Sequence, residues 1–487
     1  MSEAFETTLL NFLLLFPFIA AAVIAAFPRI LRLIPPHEKE SALAAPPAMA
    51  ITAIGLSLAV CAAMAGLIAH RDAVADYLWT PGFFQFRLRL DALGLYALLA
   101  VLAALMITAL WAAGEGVRDH VRWAAFVAAA GAFTGVILAA DLVLLYVFWE
   151  LSALAVWAAL ALPPGPGRRF LTWSHAGGLC ILVAILWVAI LARDTHIYTA
   201  GSGLLVHLLS SVKWVGWLLA LGLGVKLALA PVHFWLTDLC RGAGGKWNLA
   251  LLGTGIVVAG YGAVRLIFYI LPGYAAVAVA WLPMTLGLIT AAYAGARALL
   301  TDDVCGGASH LVATAAGQIA FGIGLGMQGR TYGLAGALAL LAPLALAAPL
   351  LAAGAGGAFG GLTWSDQRGD HRAPVPCGAA MIAAAWTLCG LPPLAGFWGQ
   401  RAVAIASWQA GGVAVALAGL IAPALILAYG VKVAVTGFGR RPKIRRQSQP
   451  GRWWLVGAVV LVSLVLGAAP SLWWQHLFKI ARALSGG

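Results

Sequence analysis

The chain of 487 residues is 63% hydrophobic and only 10% charged, with a mean hydropathy of +0.95 and a formal net charge of +13. Soluble domains carry about 25% charged residues, so this composition excludes an ordinary soluble protein and describes a polytopic membrane protein. The surplus of basic residues is distributed as the loop charges of such a protein, which argues against nucleic acid as a partner.

The opening segment MSEAFETTLL lacks a basic n-region and a small-residue cleavage site. It is read as the start of a retained helix rather than a signal peptide. From there, apolar runs of 18 or more residues recur, each long enough to cross a ~30 Å hydrocarbon core as a helix. The runs are continuous and rich in Ala, Leu and Gly rather than alternating, which argues against a transmembrane barrel. The predicted fold is an all-α polytopic membrane protein of about 14 transmembrane helices. They fall near 8–28, 46–69, 91–113, 121–140, 141–162, 170–192, 214–237, 248–271, 276–296, 306–327, 331–354, 375–399, 401–434 and 453–475. The connections 70–90 and 193–213 are short extramembrane features, and the alternation late in DYLWTPGFFQFRLRLD fits a small hairpin. No polar segment is long enough to form a soluble domain. The six cysteines stand singly with no CxxC spacing, so neither a disulfide framework nor a metal site is expected.

Basic residues set the orientation. Loops on one side of the predicted spans carry 18 Lys/Arg, and those on the other side, with the C-terminal tail, carry 8. The positive-inside rule puts the first set, including GRRPKIRRQSQPGR before the last span, in the cytoplasm. Both termini then lie on the non-cytoplasmic side of a bacterial inner membrane. The basic loop reads as a topology determinant; binding of anionic lipid or a partner subunit is the alternative.

Two predicted spans are interrupted alike. The seventh contains ALAPVHFW around Pro231, and the twelfth contains GLPPLAGFWG around Pro392 and Pro393. They are five spans apart, so spans 4–8 and 9–13 can form two five-helix repeats, and an odd number of spans per repeat inverts the second. Paired Gly/Pro-interrupted helices in inverted halves point to a transport path. The carbonyls freed by proline cannot face lipid. The chain divides on this reading into spans 1–3 (1–120), a first repeat (121–271), an inverted second repeat (276–434) and the basic loop with span 14 (435–487).

Two ionisable residues fall near the middle of predicted spans, where insertion of one charge costs at least ~2.5–3.5 kcal/mol. They are Glu150, in LLYVFWELSAL, and Lys226, in GVKLALAPVHFWLTD. Pairing across facing helices offsets both costs, and an acid–base pair in a low dielectric can hold a proton on either partner. The bland alternative is a static buried ion pair. His233, seven residues after Lys226, about 10 Å further along the helix and on the same face, either passes protons on or caps carbonyls freed by Pro231. His175, in FLTWSHAGG, is a further candidate. Asp141 reads as a helix cap near the water boundary, and Arg265 as reaching the non-cytoplasmic edge.

LLYVFWELSAL, followed 76 positions after its glutamate by GVKLALAPVHFWLTD, resembles the antiporter-like subunits of respiratory complex I. The same family includes subunits of group 4 membrane-bound hydrogenases and of multi-subunit cation/proton antiporters. RLDALGLYALL, GYGAVRL and the stretch from GGLTWSDQRGD to CGLPPLAGFWGQ extend the likeness over most of the chain. The resemblance implies fourteen spans in two inverted repeats, with Glu150 and Lys226 as the ion pair that drives proton transfer along a mid-membrane axis. It also implies that this subunit has no catalysis alone and no cofactor, and that it works beside other membrane subunits on protons or Na+.

The chain departs from that family in its second half. Val257 stands where a lysine or histidine is usual in the eighth span, Ala342 and Leu346 where the eleventh often carries His and Lys, and Gln400 where a lysine or glutamate follows the twelfth-span GF. A one-residue shift would put Arg401 there instead, which restores charge but not titration. A proton-translocating subunit with a degenerate second half-channel is therefore expected. The alternatives are a non-conducting structural or coupling subunit and a membrane subunit energising inorganic-carbon uptake.

Overall fold

A computed structural model of the protein describes residues 3–31, 45–68, 72–77, 86–114, 116–160, 164–204, 209–240, 245–357, 375–438 and 453–486. The basic loop GRRPKIRRQSQPGR lies outside them. Among the described residues, eleven helices are long and apolar enough to cross a membrane, and two shorter apolar helices, Cys377–Cys389 and Trp453–Ala468, accompany them. Helix is the expected answer to lipid, because it satisfies each backbone N–H and C=O within its own segment.

The helices include α1 (Glu3–Leu31), α2 (Ala45–Ile68), α3 (Ala92–Gly114), α4 (His120–Leu138), α5 (Leu142–Leu160), α6 (Pro164–Ala192) and α7 (Leu209–Lys226). They continue with α8 (Phe234–Cys240), α9 (Gly245–Ile270), α10 (Trp281–Leu300), α11 (Val304–Met327), α12 (Thr331–Ala339) and α13 (Leu341–Gly357). The last are α14 (Val375–Cys389), α15 (Gly396–Phe438), α16 (Trp453–Ala468) and α17 (Trp474–Ser485). Burial ranks them. The apolar window of α11 is 100% buried and that of Thr331–Ala355 94%, against 17% for Gly396–Thr436, so α11–α13 form the centre and α15 the flank. Small residues permit this density. Gly287 on α10 and Gly317 on α11 cross so closely that a Cβ on either would lie 2.6 Å from the other's carbonyl oxygen.

The hairpin expected after the second helix is present as antiparallel β1 (Ala73–Tyr77) and β2 (Phe86–Leu90). Extended backbone around residues 139–141 and 195–197 continues its hydrogen bonding. Ala140 N–H donates to Arg87 O, Leu142 N–H to Thr195 O and Ile197 N–H to Ala140 O, at 2.9–3.0 Å. Three connections are thereby tied together at one end of the bundle.

Both predicted breaks exist, and both end their first half-helix in the same way. After α7, Ala228 takes a left-handed φ of 54°, its N–H bonds Val225 O, and Leu229 N–H reaches back to Gly224 O. After α14, Gly390 has φ 81° and Leu391 N–H reaches Trp386 O. These are Schellman-type terminations, and at Ala228 the conformation costs about 1–2 kcal/mol because the residue has a Cβ. The first helix thus stops at Lys226, before Pro231, whereas the sequence reading left Lys226 in mid-helix. Two further boundaries differ. The backbone kink between the twelfth and thirteenth predicted spans falls at Gly411–Gly412 rather than near 400, where Gly412 has φ 59°. The last apolar helix ends at Ala468, and the segment to 475 belongs partly to the amphipathic α17.

Candidate functional site

Three helices converge on one carboxylate. Lys226, the last residue of α7, donates from Nζ to Glu150 Oε1 on α5 at 3.0 Å and to Ser174 Oγ on α6 at 3.0 Å. His175, the next residue of α6, hydrogen-bonds through Nδ1 to the other oxygen, Glu150 Oε2. Side-chain exposure rises in order from Lys226 (7%) through Glu150 (17%) to His175 (43%), so the constellation runs from the interior of the bundle toward its flank. Gly178, one turn beyond His175, makes room for it: a Cβ there would collide with Glu150 Oε1. The position of Lys226 adds to the site, because the negative end of the α7 dipole favours a cation by up to ~2 kcal/mol in partly buried geometry. A cavity of about 50 Å³, mostly apolar but bordered also by Lys226, Ser152 and Ser174, lies beside the site and is enough by size for water.

The sequence reading placed His233 on the same helix face as Lys226. The structure does not, because residues 227–233 are not helical. His233 faces the second half of the chain, with its ring 5.1 Å from that of Tyr293 on α10 and 6.2 Å from that of His310 on α11. Thr290, also on α10, spans the break by accepting from Ala230 N–H at 2.8 Å. His310, Thr314 and Gln318 follow at four-residue spacing on the wholly buried α11 and therefore share a face. At the far end of that row Gln318 Nε2 donates to Gln400 Oε1 at 3.0 Å and to Gly419 O at 3.0 Å. Gln400 Nε2 in turn caps Leu388 O at 2.9 Å.

Gln400 is buried, whereas Arg401 is exposed with its guanidinium over Trp398. The inward position after the second break is thus held by the amide and not by the charge. Measured from the two Schellman terminations, Leu388 occupies in the second break the place that Lys226 has in the first. Among the described residues no group of His, Cys, Asp or Glu is arranged to hold a metal ion.

A second buried ion pair was not recognised from sequence. Asp91, between β2 and α3, accepts from Arg265 Nη2 on α9 and from Gly94 N–H at 2.8 Å. Arg265 Nε donates to Tyr261 Oη at 2.8 Å, and Tyr198 Oη donates to Asp91 Oδ2 at 3.3 Å. Burial opposes ionisation of Asp91, but the Arg265 guanidinium and the Gly94 amide hold its carboxyl below the usual carboxylate range. Arg265 thus lies at the hairpin end of the bundle, where it is 2% exposed and enclosed by protein. Asp141 is an N-cap, accepting from Val143 N–H at 2.8 Å, and Thr195 Oγ1 donates to it at 2.5 Å. It too is buried.

The chain aligns with NAD(P)H-quinone oxidoreductase chain 4-3 of Nostoc sp. at 29% identity over 232 residues, which is 46% of this chain and 40% of that one. It aligns with NAD(P)H-quinone oxidoreductase chain 4 2 of Trichodesmium erythraeum at 30% identity over 202 residues, 40% and 36% of the two chains. The chain thus spans about two-fifths of the length of these curated relatives. Among solved structures it superposes on a chain of respiratory complex I from Thermus thermophilus with a TM-score of 0.82 at 20% identity, covering 98% of this chain and 99% of that one. A chain of the Mrp complex from Dietzia sp. gives 0.82 at 17% identity, covering 100% and 98%. These structural likenesses are likenesses of fold. The family described as NADH:quinone oxidoreductase/Mrp antiporter, TM, matches residues 139–426, which contain Glu150, Lys226, both helix breaks and Gln400, and the chain is a multi-pass membrane protein belonging to that family.

Proposed function

We propose that this chain is a proton-translocating, antiporter-like subunit of a multi-subunit membrane complex, with a titratable ion pair at its first break and, at its second break, an amide, Gln400, that holds no proton. The observation that carries the reading is the bridging carboxylate: Glu150 is shared between Lys226 and His175 in an otherwise apolar setting. A proton on Glu150 weakens its hold on Lys226, and release of that proton restores the pair, so loading is coupled to the position of the ammonium. The exposure gradient makes the His175 end the entry from a neighbouring subunit or water. His233 and His310 are the next groups able to hold a proton, toward the centre of the chain.

The finer architecture belongs to the same proposal. The matching terminations of α7 and α14 support two five-helix repeats, spans 4–8 and 9–13, within fourteen spans and inverted with respect to each other. The bias of basic residues supports termini outside the cytoplasm of a bacterial inner membrane. Complex I and the Mrp complex are assemblies, which supports other membrane subunits as the partners of this one.

A second reading, a coupling subunit that does not conduct, is favoured by one observation. The Gln318–Gln400 pair ends the polar row with amides, which do not titrate near neutral pH. The test is proton translocation per turnover by the reconstituted assembly carrying Glu150→Gln or Lys226→Ala. A reduced stoichiometry with the assembly intact supports conduction; wild-type stoichiometry in both variants leaves only the coupling role.

A further inference from the structure

A second site lies at the other end of α11, where the chain turns from one membrane helix into the next. The turn carries Gly329 at φ 77° and Arg330, which is the N-cap of α12 but gives its amides no side-chain hydrogen bond. The amphipathic α17 packs across this turn. Leu477 and Ala481, four residues apart, face inward, Phe478 meets Tyr332 at a tilt with ring centroids 5.0 Å apart, and Thr331 Oγ1 meets Ser485 Oγ at 2.9 Å. Between them opens a cavity of about 630 Å³ whose walls include Arg330, Tyr332, Trp408, Phe478 and Arg482.

Three features specify an occupant. Two guanidiniums border the cavity and, among the described residues, no Asp or Glu does. The Nε of Arg330, a residue that lines the cavity, is buried without a hydrogen-bond partner in the protein, a cost that a turn of the guanidinium toward a ligand oxygen would relieve. The start of α12 also opens here, and a helix N-terminus adds positive potential. An anion is indicated, and planar guanidiniums match phosphate oxygens in geometry. Three aromatic residues, Tyr332, Trp408 and Phe478, share the wall with Gly329, Thr331 and Gln409, and Trp408 is 60% exposed on the flank of the bundle. Tryptophan and tyrosine beside arginine at the end of a membrane helix mark the level of lipid headgroups. A volume in the several-hundred Å³ range suits a ligand larger than a bare ion.

We propose that this cavity binds the phosphate headgroup of an anionic phospholipid, with its acyl chains running down past Trp408 along the flank of α15. The site uses no residue of the Glu150–Lys226 constellation and stands independently of the transport reading.

The test is lipid retention by the purified full chain, read by native mass spectrometry, with phosphatidylglycerol, phosphatidylcholine and inorganic phosphate as the probes. Phosphatidylglycerol should be retained over phosphatidylcholine. Each of Arg330→Gln and Arg482→Gln should lower that retention about fivefold, the worth of one basic residue at a charged surface. Lys479→Gln, on the exposed face of α17, should change it little. Equal retention of the two lipids, or undiminished retention in the double arginine variant, overturns the proposal. Displacement of phosphatidylglycerol by millimolar inorganic phosphate also overturns it, in favour of a soluble anion. Should the arginine variants fail to fold, a photoactivatable phosphatidylglycerol on the unmodified chain decides. Adducts at Tyr332, Trp408 or Phe478 support the site, and adducts found only elsewhere overturn it.

Discussion

Lys226 and Glu150 lie 3.0 Å apart, joining the end of one broken helix to the middle of an unbroken one. Each charge answers the desolvation of the other, and neither would be tolerated alone at this depth. Lys226→Met should therefore destabilise the protein by about 1–3 kcal/mol, leaving Glu150 on His175 alone. The double variant Lys226→Met with Glu150→Gln should recover part of that loss. Thermal melting of the four proteins in one detergent forms the cycle; strictly additive losses would mean that the pair is not coupled.

Gly178 provides a way to move Glu150 without deleting it. In Gly178→Ala the new methyl meets Glu150 Oε1, the far end of a flexible side chain, so the carboxylate swings away and the fold survives. Proton translocation should fall while the melting temperature stays within a few degrees. Gly177→Ala makes the opposite case, since its methyl meets Val225 Cβ at 2.8 Å and the Gly222 carbonyl at 3.0 Å. That variant should lose stability first. Equal translocation by Gly178→Ala and the parent would remove Glu150 placement from the mechanism.

Asp91 and Arg265 form a pair with a structural task at the hairpin end. Removing one partner leaves a buried charge uncompensated, so Asp91→Ala should cost about 3–5 kcal/mol. Asp91→Ala combined with Arg265→Met should cost less than Asp91→Ala alone. The sign with pH follows from the lowered carboxyl of Asp91. Its contribution is full above the ordinary carboxylate range and is lost as pH falls through its depressed value in the fold. Melting curves taken downward from neutral pH should converge for the parent and Asp91→Ala; parallel curves would refute the assignment.

Gln400 is expected to matter for structure and not for proton count. Gln400→Leu strips a cap from Leu388 O and a partner from Gln318, at about 1–3 kcal/mol for the groups left unpaired. The number of protons moved per turnover should be unchanged. A drop in that number with the assembly intact would show that the second half conducts through this amide pair, against the proposal.

Much of the site was legible one residue at a time. Glu150 and Lys226 announced themselves because a charge within an apolar run has so few allowed explanations. The prolines announced both breaks for a similar reason. Other features depended on partners far away in the chain. His175 looked minor until α6 brought it to the second oxygen of Glu150. His310 and Gln318 were two polar residues in a Gly/Ala-rich helix, and only the packing of α8 and α15 against α11 gave them neighbours. Asp91 and Arg265 lay within motifs already singled out, 174 residues apart, with no local signal that they would meet.

The amino-acid sequence by itself determined that this protein lives in a membrane, that its spans are helices, where those helices are interrupted, and which charges need compensation. Those properties follow from the cost of moving single groups out of water, which each residue carries wherever it is placed. Tertiary structure alone decided that the first helix stops at Lys226, that His233 turns toward the second half, and that Gln400 rather than Arg401 faces inward. These are matters of direction, set by a left-handed residue at Ala228 and by the packing of neighbouring helices. A one-dimensional pattern records what a side chain is, whereas only the assembled bundle fixes which atoms it meets.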